Sequence, residues 1–412
     1  MIRKLQFVFA FLLVLGCQSV YTKMTMFPGD ILITIFCMLT LLILCVVQLE
    51  EKKTVFNKYR LTKIVINCMF MNGLIVLVFV INAFFPYGNI SQMNNIKNNA
   101  MILGLLVVIF DLIYSYFSLK GSNKKYFIKD IINSVFVINF FSLIFYILGP
   151  TLKILSPTNT VNIIWGLSKN IASFYNVFFV AQPGAYSILT QGRNTGLFVE
   201  GPMYAFVIVV AILFELFLLT NKKKIRLLVG LIALITTYST TGLIVTTIAI
   251  LFYIFDNFEK EKGKIKLAIL GLIPGMLLFV TFFILKLLDE KMNMGYSDDI
   301  RISNFNNAIH NWASRPLVGY GFKAESTGNF TGHTSVFSQV IQDGGLLFLL
   351  YYSLPFIGVT GYFLKKRIYG YVFFILCYLL LIFNTVVTYT TFSIAILAFL
   401  TAFEIDGKGG FI

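Results

Sequence analysis

Apolar runs near the length of a membrane helix recur along the whole chain, separated by short polar connections that carry clusters of Lys and Arg. Spans are predicted at about 5–21, 28–49, 64–85, 100–119, 131–149, 196–219, 225–255, 265–287, 345–364 and 368–404. Two of these, 225–255 and 368–404, are too long for one crossing. The first has a polar centre, Thr236-Thr237-Tyr238-Ser239-Thr240-Thr241-Gly242, and the second turns polar over Asn384–Thr391, so each is expected to be a helix pair. With the N-terminus inside, these divisions keep the basic clusters at Arg3-Lys4, 52–63, 120–129, 222–226, 260–266 and 365–367 on the cytoplasmic side. The expectation is an all-α polytopic membrane protein, residues 1–412 forming one integral membrane domain, with about 12 transmembrane helices and both termini cytoplasmic. Two long extracytoplasmic segments remain, 150–195 and 288–344, and both are expected to bear short amphipathic helices.

Composition agrees with the pattern. The chain is 58% hydrophobic and 12% charged, about half the charged share of a soluble domain, so no sizeable soluble domain fits between the spans. A net charge of +15 raises the question of nucleic acid. Its confinement to short inter-span clusters gives a positive-inside topology instead. The five cysteines, Cys17, Cys37, Cys45, Cys68 and Cys377, lie in or beside apolar spans without CxxC spacing, so neither a disulfide framework nor a zinc site is indicated. The basic start and Leu15-Gly16-Cys17 are similar to a lipoprotein signal, but the many following spans favour a plain first helix.

The candidate chemistry sits in the two outer segments. Arg193, in GRNTGLFVEGP, lies at the mouth of a span between Gly192 and Gly196. Glu200 follows it by two helical turns, and an ionisable residue inside a span is costly unless paired or functional. An Arg–Glu structural pair is the other reading of these two. Isoleucine, Phe305, Ala308, Ile309 and Trp312 recur at helical spacing around Arg301 and predict a surface helix ending at Pro316. On that helix His310 reads as a solvated residue, and Asp298-Asp299 before it as a solvated loop. His333 stands among Thr331, Thr334, Ser335 and Gln339 just before the next span, where a neutral imidazole can accept a proton.

GRNTGLFVEGP, the TTYSTTGL hairpin, an arginine followed by W-A-S-R-P-L-V-G-Y-G, and a histidine leading into a Gly-Gly span start together resemble the O-antigen polymerase and O-antigen ligase superfamily over roughly residues 185–360. The resemblance implies a bacterial cytoplasmic-membrane glycosyltransferase whose substrate is a polyprenyl-diphosphate-linked oligosaccharide, working without a metal or other cofactor. It implies His333 as the base activating an acceptor hydroxyl and Arg193 and Arg301 on the diphosphate, with Glu200, Arg315 and Gly344 in support. His333 and Gly344 keep a His-x10-Gly spacing. Glu200-Gly201-Pro202 departs from a pattern in which Glu directly precedes Pro.

On this reading the protein polymerises repeat units into a surface polysaccharide. Its partners are membrane lipids together with flippase and chain-length regulator proteins, with no role for nucleic acid. A glycan ligase of the same superfamily is the near alternative. A lipid-linked oligosaccharide flippase is the more distant one, and it is disfavoured because the charges lie outside the spans and no internal repeat is visible. A purely structural or signalling component leaves the histidine-bearing segment unexplained.

Overall fold

The predicted spans fold as helices in a computed structural model, which describes residues 2–26, 28–51, 58–85, 99–100, 102–183, 192–258, 282, 297–322, 333 and 335–403. The helices in chain order are α1 (Ile2–Leu15), a short α2 (Val20–Lys23), α3 (Gly29–Glu51), α4 (Lys58–Phe84), α5 (Phe110–Leu119) and α6 (Gly121–Tyr146). They continue with α7 (Gly201–Leu213), extended by a π turn to Leu218, then α8 (Lys224–Thr236), α9 (Thr240–Phe258), α10 (Ser297–Ser314), α11 (Val336–Lys365), α12 (Tyr369–Phe383) and α13 (Thr391–Thr401). Seven helical stretches among the described residues are long and apolar enough to cross a membrane. The span expected at 265–287 lies outside the described residues apart from Phe282.

Both overlong runs divide where their polar centres indicated. The first turns at Thr237–Ser239, with Tyr238 in a left-handed conformation (φ 52°), and the second turns between Phe383 and Thr391. Ser239 and Thr390 each cap the helix that follows, their hydroxyls accepting the N–H of Gly242 and Ser393.

Sequence chemistry sorts the helices by depth. The run Tyr204–Leu213 is apolar all round, and the α7 span is 89% buried, as expected of a bundle's central helix. Every residue of α13 is also buried. On α3, by contrast, Ile35, Phe36, Leu39 and Val46 are exposed, an apolar surface suited to lipid. Near the N-terminus, Arg3 clamps Asp130 of α6 with two hydrogen bonds of 3.0 and 2.9 Å, which joins α1 to the bundle.

The segment 150–195 departs from expectation. Its described residues form, in place of an amphipathic helix, a three-stranded antiparallel sheet of β1 (Asn159–Trp165), β2 (Leu167–Phe174) and β3 (Phe178–Val180), in the order β1-β2-β3. Asn159 faces Ser173 at one end of the hairpin and Trp165 faces Leu167 at its tip. The cause lies in NTVNIIW, where β-branched residues favour extended backbone. Turns at Gly166 and at Tyr175–Asn176, all with positive φ, then reverse the chain. Backbone bonds from Thr25 to Asn162 and from Phe179 to Gly196 tie the sheet to the bundle at both edges.

The segment 297–322 follows its prediction more closely. Helix α10 ends at Ser314, before Pro316, and from Ile302 onward it buries Asn304 and Ala308, half-buries Phe305, Asn311 and Trp312 and exposes the rest. Phe305 stacks on Phe337 of α11 at 6.1 Å. Asp298 and Asp299 sit in the first turn of this helix and not in a loop, because it starts earlier than the apolar spacing indicates.

Helix α11 is broken. Gly345 has φ 57° and ψ −148° inside it, a region open only to glycine. The break exposes main-chain groups that the 316–321 turn takes up. Tyr320 and Gly321 donate to the carbonyls of Gln342 and Asp343, while Leu346 and Leu347 donate to those of Pro316 and Leu317. The approach is tight: a Cβ on Gly319 would lie 2.4 Å from the Gln342 oxygen, and one on Gly345 2.6 Å from the Leu317 carbonyl carbon. Gly345→Ala therefore combines backbone strain with overpacking and is expected to cost about 3 kcal/mol or more. Thermal unfolding in detergent, read against Gly361→Ala, where nothing lies within 4 Å of the new methyl, measures the difference.

Candidate active site

Arg193 lies ahead of α7 and His333 ahead of α11, on the side of the bundle where α9 begins and α12 ends. Arg193 precedes α7 and is 6% exposed. Its main-chain N–H reaches the Gln182 carbonyl at 3.3 Å. Next to it, Asn194 crosslinks three elements: its amide donates to Thr236 Oγ1 (2.9 Å), its Oδ1 accepts from Ser142 (2.6 Å), and its N–H donates to the Thr236 carbonyl. Thr195 in turn donates to the carbonyl of Phe179 in β3. The Arg193 side chain runs past the first residue of α7, so that a Cβ on Gly201 would come within 3.3 Å of its Cδ.

Arg193 and Glu200 do not share a helix face. Helix α7 starts at Gly201, with Glu200 as its extended N-cap residue, because the Asn194 and Thr195 bonds hold 193–199 in turns. Glu200 instead accepts a 2.6 Å hydrogen bond from the indole N–H of Trp165, fixing the tip of the β1–β2 hairpin on the start of α7. The flanking glycines serve this packing: Gly192 is buried with its carbonyl on Tyr146, and Gly196 abuts Tyr204. Glu200→Ala removes a charge-assisted bond worth about 1.5–3 kcal/mol when intact. We expect it to red-shift Trp165 fluorescence, recorded in a Trp312→Phe background, whereas Glu200→Gln, which keeps an acceptor, shifts it less.

A small cavity opens between the helix starts, lined by Pro202 of α7, the cap residue Ser239 with Thr240 and Thr241 of α9, and Asn384 and Thr385 after α12. Two helix N-termini, the positive ends of their dipoles, face it. From Thr385 the connection runs on to the histidine, since the Thr385 carbonyl accepts the N–H of Val336 at the start of α11. Ser335 caps that helix by accepting from Ser338.

His333 stands two residues before this cap with its side chain 2% exposed. Its Nε2 lies 3.7 Å from Oδ1 of Asp343, a side chain with no exposure. The other carboxylate oxygen of Asp343 accepts from the Tyr389 hydroxyl at 2.5 Å. Asp343 and Tyr389 were not singled out by sequence reasoning. The available signal was an acidic residue followed by Gly-Gly at the entry of an apolar run.

The other predicted residues divide. Arg301 lies in the second turn of α10, one turn before the Phe305–Phe337 contact. His310, on the same helix, is exposed. Arg315 is turned toward α4: it donates to Asn82 Oδ1 at 3.3 Å and to the Phe85 carbonyl at 3.0 Å. Asn82 itself donates to the Val318 carbonyl, so Arg315 anchors the 316–321 turn on α4. Gly344 sits in the helix break, where a Cβ would meet Phe348 at 2.3 Å. Among the described residues no group of three or more His, Cys, Asp or Glu is placed to hold a metal ion.

No curated protein matches the chain. Residues 225–353 match the family model described as O-antigen ligase, Wzy_C. The match runs from α8 through the hairpin, α10, His333 and the broken helix, and stops within α11; Arg193 precedes it and Tyr389 follows it. Members of this family are glycosyltransferase-like enzymes acting on lipid-linked glycans. Residues 225–353 of this multi-pass membrane protein are thus similar to the O-antigen ligase family, which supports a relationship to the O-antigen ligase and polymerase superfamily.

Proposed function

We propose that the protein joins oligosaccharide repeat units carried on polyprenyl diphosphate, on the outer face of the bacterial cytoplasmic membrane. The reading is supported by Arg193 packing along the start of α7, by a small cavity at the N-termini of α7 and α9, and by the buried His333–Asp343 pair ahead of and within α11. A diphosphate leaving group needs cations and oriented N–H dipoles, and an acceptor hydroxyl needs a base.

In the proposed reaction an acceptor sugar hydroxyl attacks the anomeric carbon of the donor glycan. The bond from that carbon to the diphosphate oxygen breaks, and polyprenyl diphosphate departs with the electron pair. His333 takes the hydroxyl proton. Arg193, with Arg301 from α10, neutralises the departing charge; a planar guanidinium can hold two of its oxygens.

The side of the membrane follows from charge. Helices α7, α9 and α11 start at the site and run toward Lys222–Lys224, Lys260–Lys266 and Lys365-Lys366-Arg367. Clusters of this kind favour the cytoplasmic side, which supports a site on the outer face and cytoplasmic termini. Flippase and chain-length regulator proteins are the expected partners there.

The family description favours a second reading, transfer of finished glycan to a different acceptor. Glycan profiling of a strain lacking the protein separates the two. A polymerase leaves single repeat units on the normal acceptor and no ladder. A ligase leaves long chains on the carrier lipid, and a flippase leaves repeat units on the cytoplasmic leaflet. Either of the last two results replaces the proposed function.

A further inference from the structure

Helix α8 has two unlike faces. Gly230, Ala233 and Leu234 are buried. The opposite face exposes Ile225, Leu228, Ile232 and Ile235, which are three or four residues apart and therefore aligned in one stripe. From Ile225 to Ile235 the stripe is about 15 Å long at the rise of an α-helix, half of a hydrocarbon core about 30 Å thick. It is one leaflet deep. At its head lies an open trough lined by Lys224, Ile225, Leu227, Leu228 and Leu231, so the apolar wall ends at an ammonium group. Lys223 and Lys224 are both exposed there.

The fold holds this corner in place. Glu215, buried in the π turn after α7, accepts from the Lys223 main-chain N–H and from the Arg226 guanidinium, the latter at 3.3 Å. The Arg226 charge is thereby balanced by a carboxylate on the protein side of α8. Lys222 lies over the Tyr253 ring of α9, 4.7 Å from its centroid. The exposed side chains of Lys223 and Lys224 thus leave a backbone pinned by neighbouring contacts. We propose that the trough and stripe bind one anionic phospholipid, its phosphate between the Lys223 and Lys224 ammonium groups and an acyl chain along Leu228 and Ile232. Charge complementarity selects this occupant. A zwitterionic lipid fits the stripe equally well but brings its own cation toward the lysines, and an apolar partner helix would have to desolvate two ammonium groups. In the topology proposed above, this is the cytoplasmic leaflet. The binding itself depends neither on that assignment nor on glycan transfer.

Fluorescence quenching by brominated lipid reads the site directly. Leu228→Trp in the full-length Trp165→Phe/Trp312→Phe protein places a single indole at the trough. Phe36→Trp in the same background places one on the exposed face of α3. Each protein is reconstituted in phosphatidylcholine containing dibrominated phosphatidylglycerol or dibrominated phosphatidylcholine. A lysine at a membrane surface strengthens binding of acidic lipid about five-fold. At position 228, phosphatidylglycerol is therefore expected to bind about 10–30-fold more tightly than phosphatidylcholine, and at position 36 about equally. Adding Lys223→Gln and Lys224→Gln should bring position 228 to the ratio found at position 36. Equal binding of the two lipids at position 228 overturns the proposal, and so does a preference that survives loss of both lysines. Absence of quenching by either lipid also overturns it, because a protein segment then covers the trough. Native mass spectrometry makes the comparison without the tryptophan changes. The wild-type chain should retain one more phosphatidylglycerol molecule than Lys223→Gln/Lys224→Gln, and an equal number retained overturns the proposal.

Discussion

Replacing His333 with alanine is expected to abolish glycan transfer while leaving a folded protein. Loss of a positioned general base lowers the chemical step by about 10²–10⁴-fold, enough to remove a polysaccharide ladder within the time of cell growth. The imidazole lies beside Asp343 near the cap of α11, while the main-chain bonds that hold the broken helix run between 316–321 and 342–347. These bonds do not use the His333 side chain, so the variant should unfold near the wild-type temperature. Donor binding should persist, because the cationic groups are elsewhere. An active, folded His333→Ala protein would remove the base from the account.

Arg193→Ala should fall nearly as far, by about 10²–10³-fold, because it withdraws charge stabilisation that matters most as the diphosphate departs. Arg193→Lys should recover little of it. An ammonium keeps the charge but not the two-pronged geometry. The loop bonds of Asn194 and Thr195 are independent of residue 193, so the fold around it should hold. Initial rates with saturating lipid-linked donor, measured together with thermal unfolding, separate the two effects. Equal activity of Arg193→Ala and wild type would place the diphosphate elsewhere.

Much of this arrangement was legible in the sequence, and the exceptions have physical causes. The TTYSTTGL centre divides its run because hydroxyls can cap a helix and satisfy a turn, as Ser239 does. The end of α10 before Pro316 follows from the chemistry of proline. Segment 150–195 was misread because aromatic residues spread along it resemble an interfacial helix, whereas the paired β-branched residues and two turns make strands. Glu200 is expected either in a supporting role at the site or as a structural partner of Arg193, and only the three-dimensional structure shows Trp165 reaching it from a strand 35 residues away. Asp343 and Tyr389 escaped for a similar reason. Their relation to His333 depends on the break at Gly345 and on a connection after α12, neither of which leaves a periodic trace. Arg315, expected in a supporting role, donates to Asn82 and the Phe85 carbonyl, contacts across more than 200 residues that no local pattern announces.

The most direct test uses purified protein in nanodiscs supplied with a polyprenyl-diphosphate-linked repeat unit. The account predicts a ladder of joined units with matching release of polyprenyl diphosphate from wild type, and neither product from folded His333→Ala or Arg193→Ala. A normal ladder from both variants would contradict it.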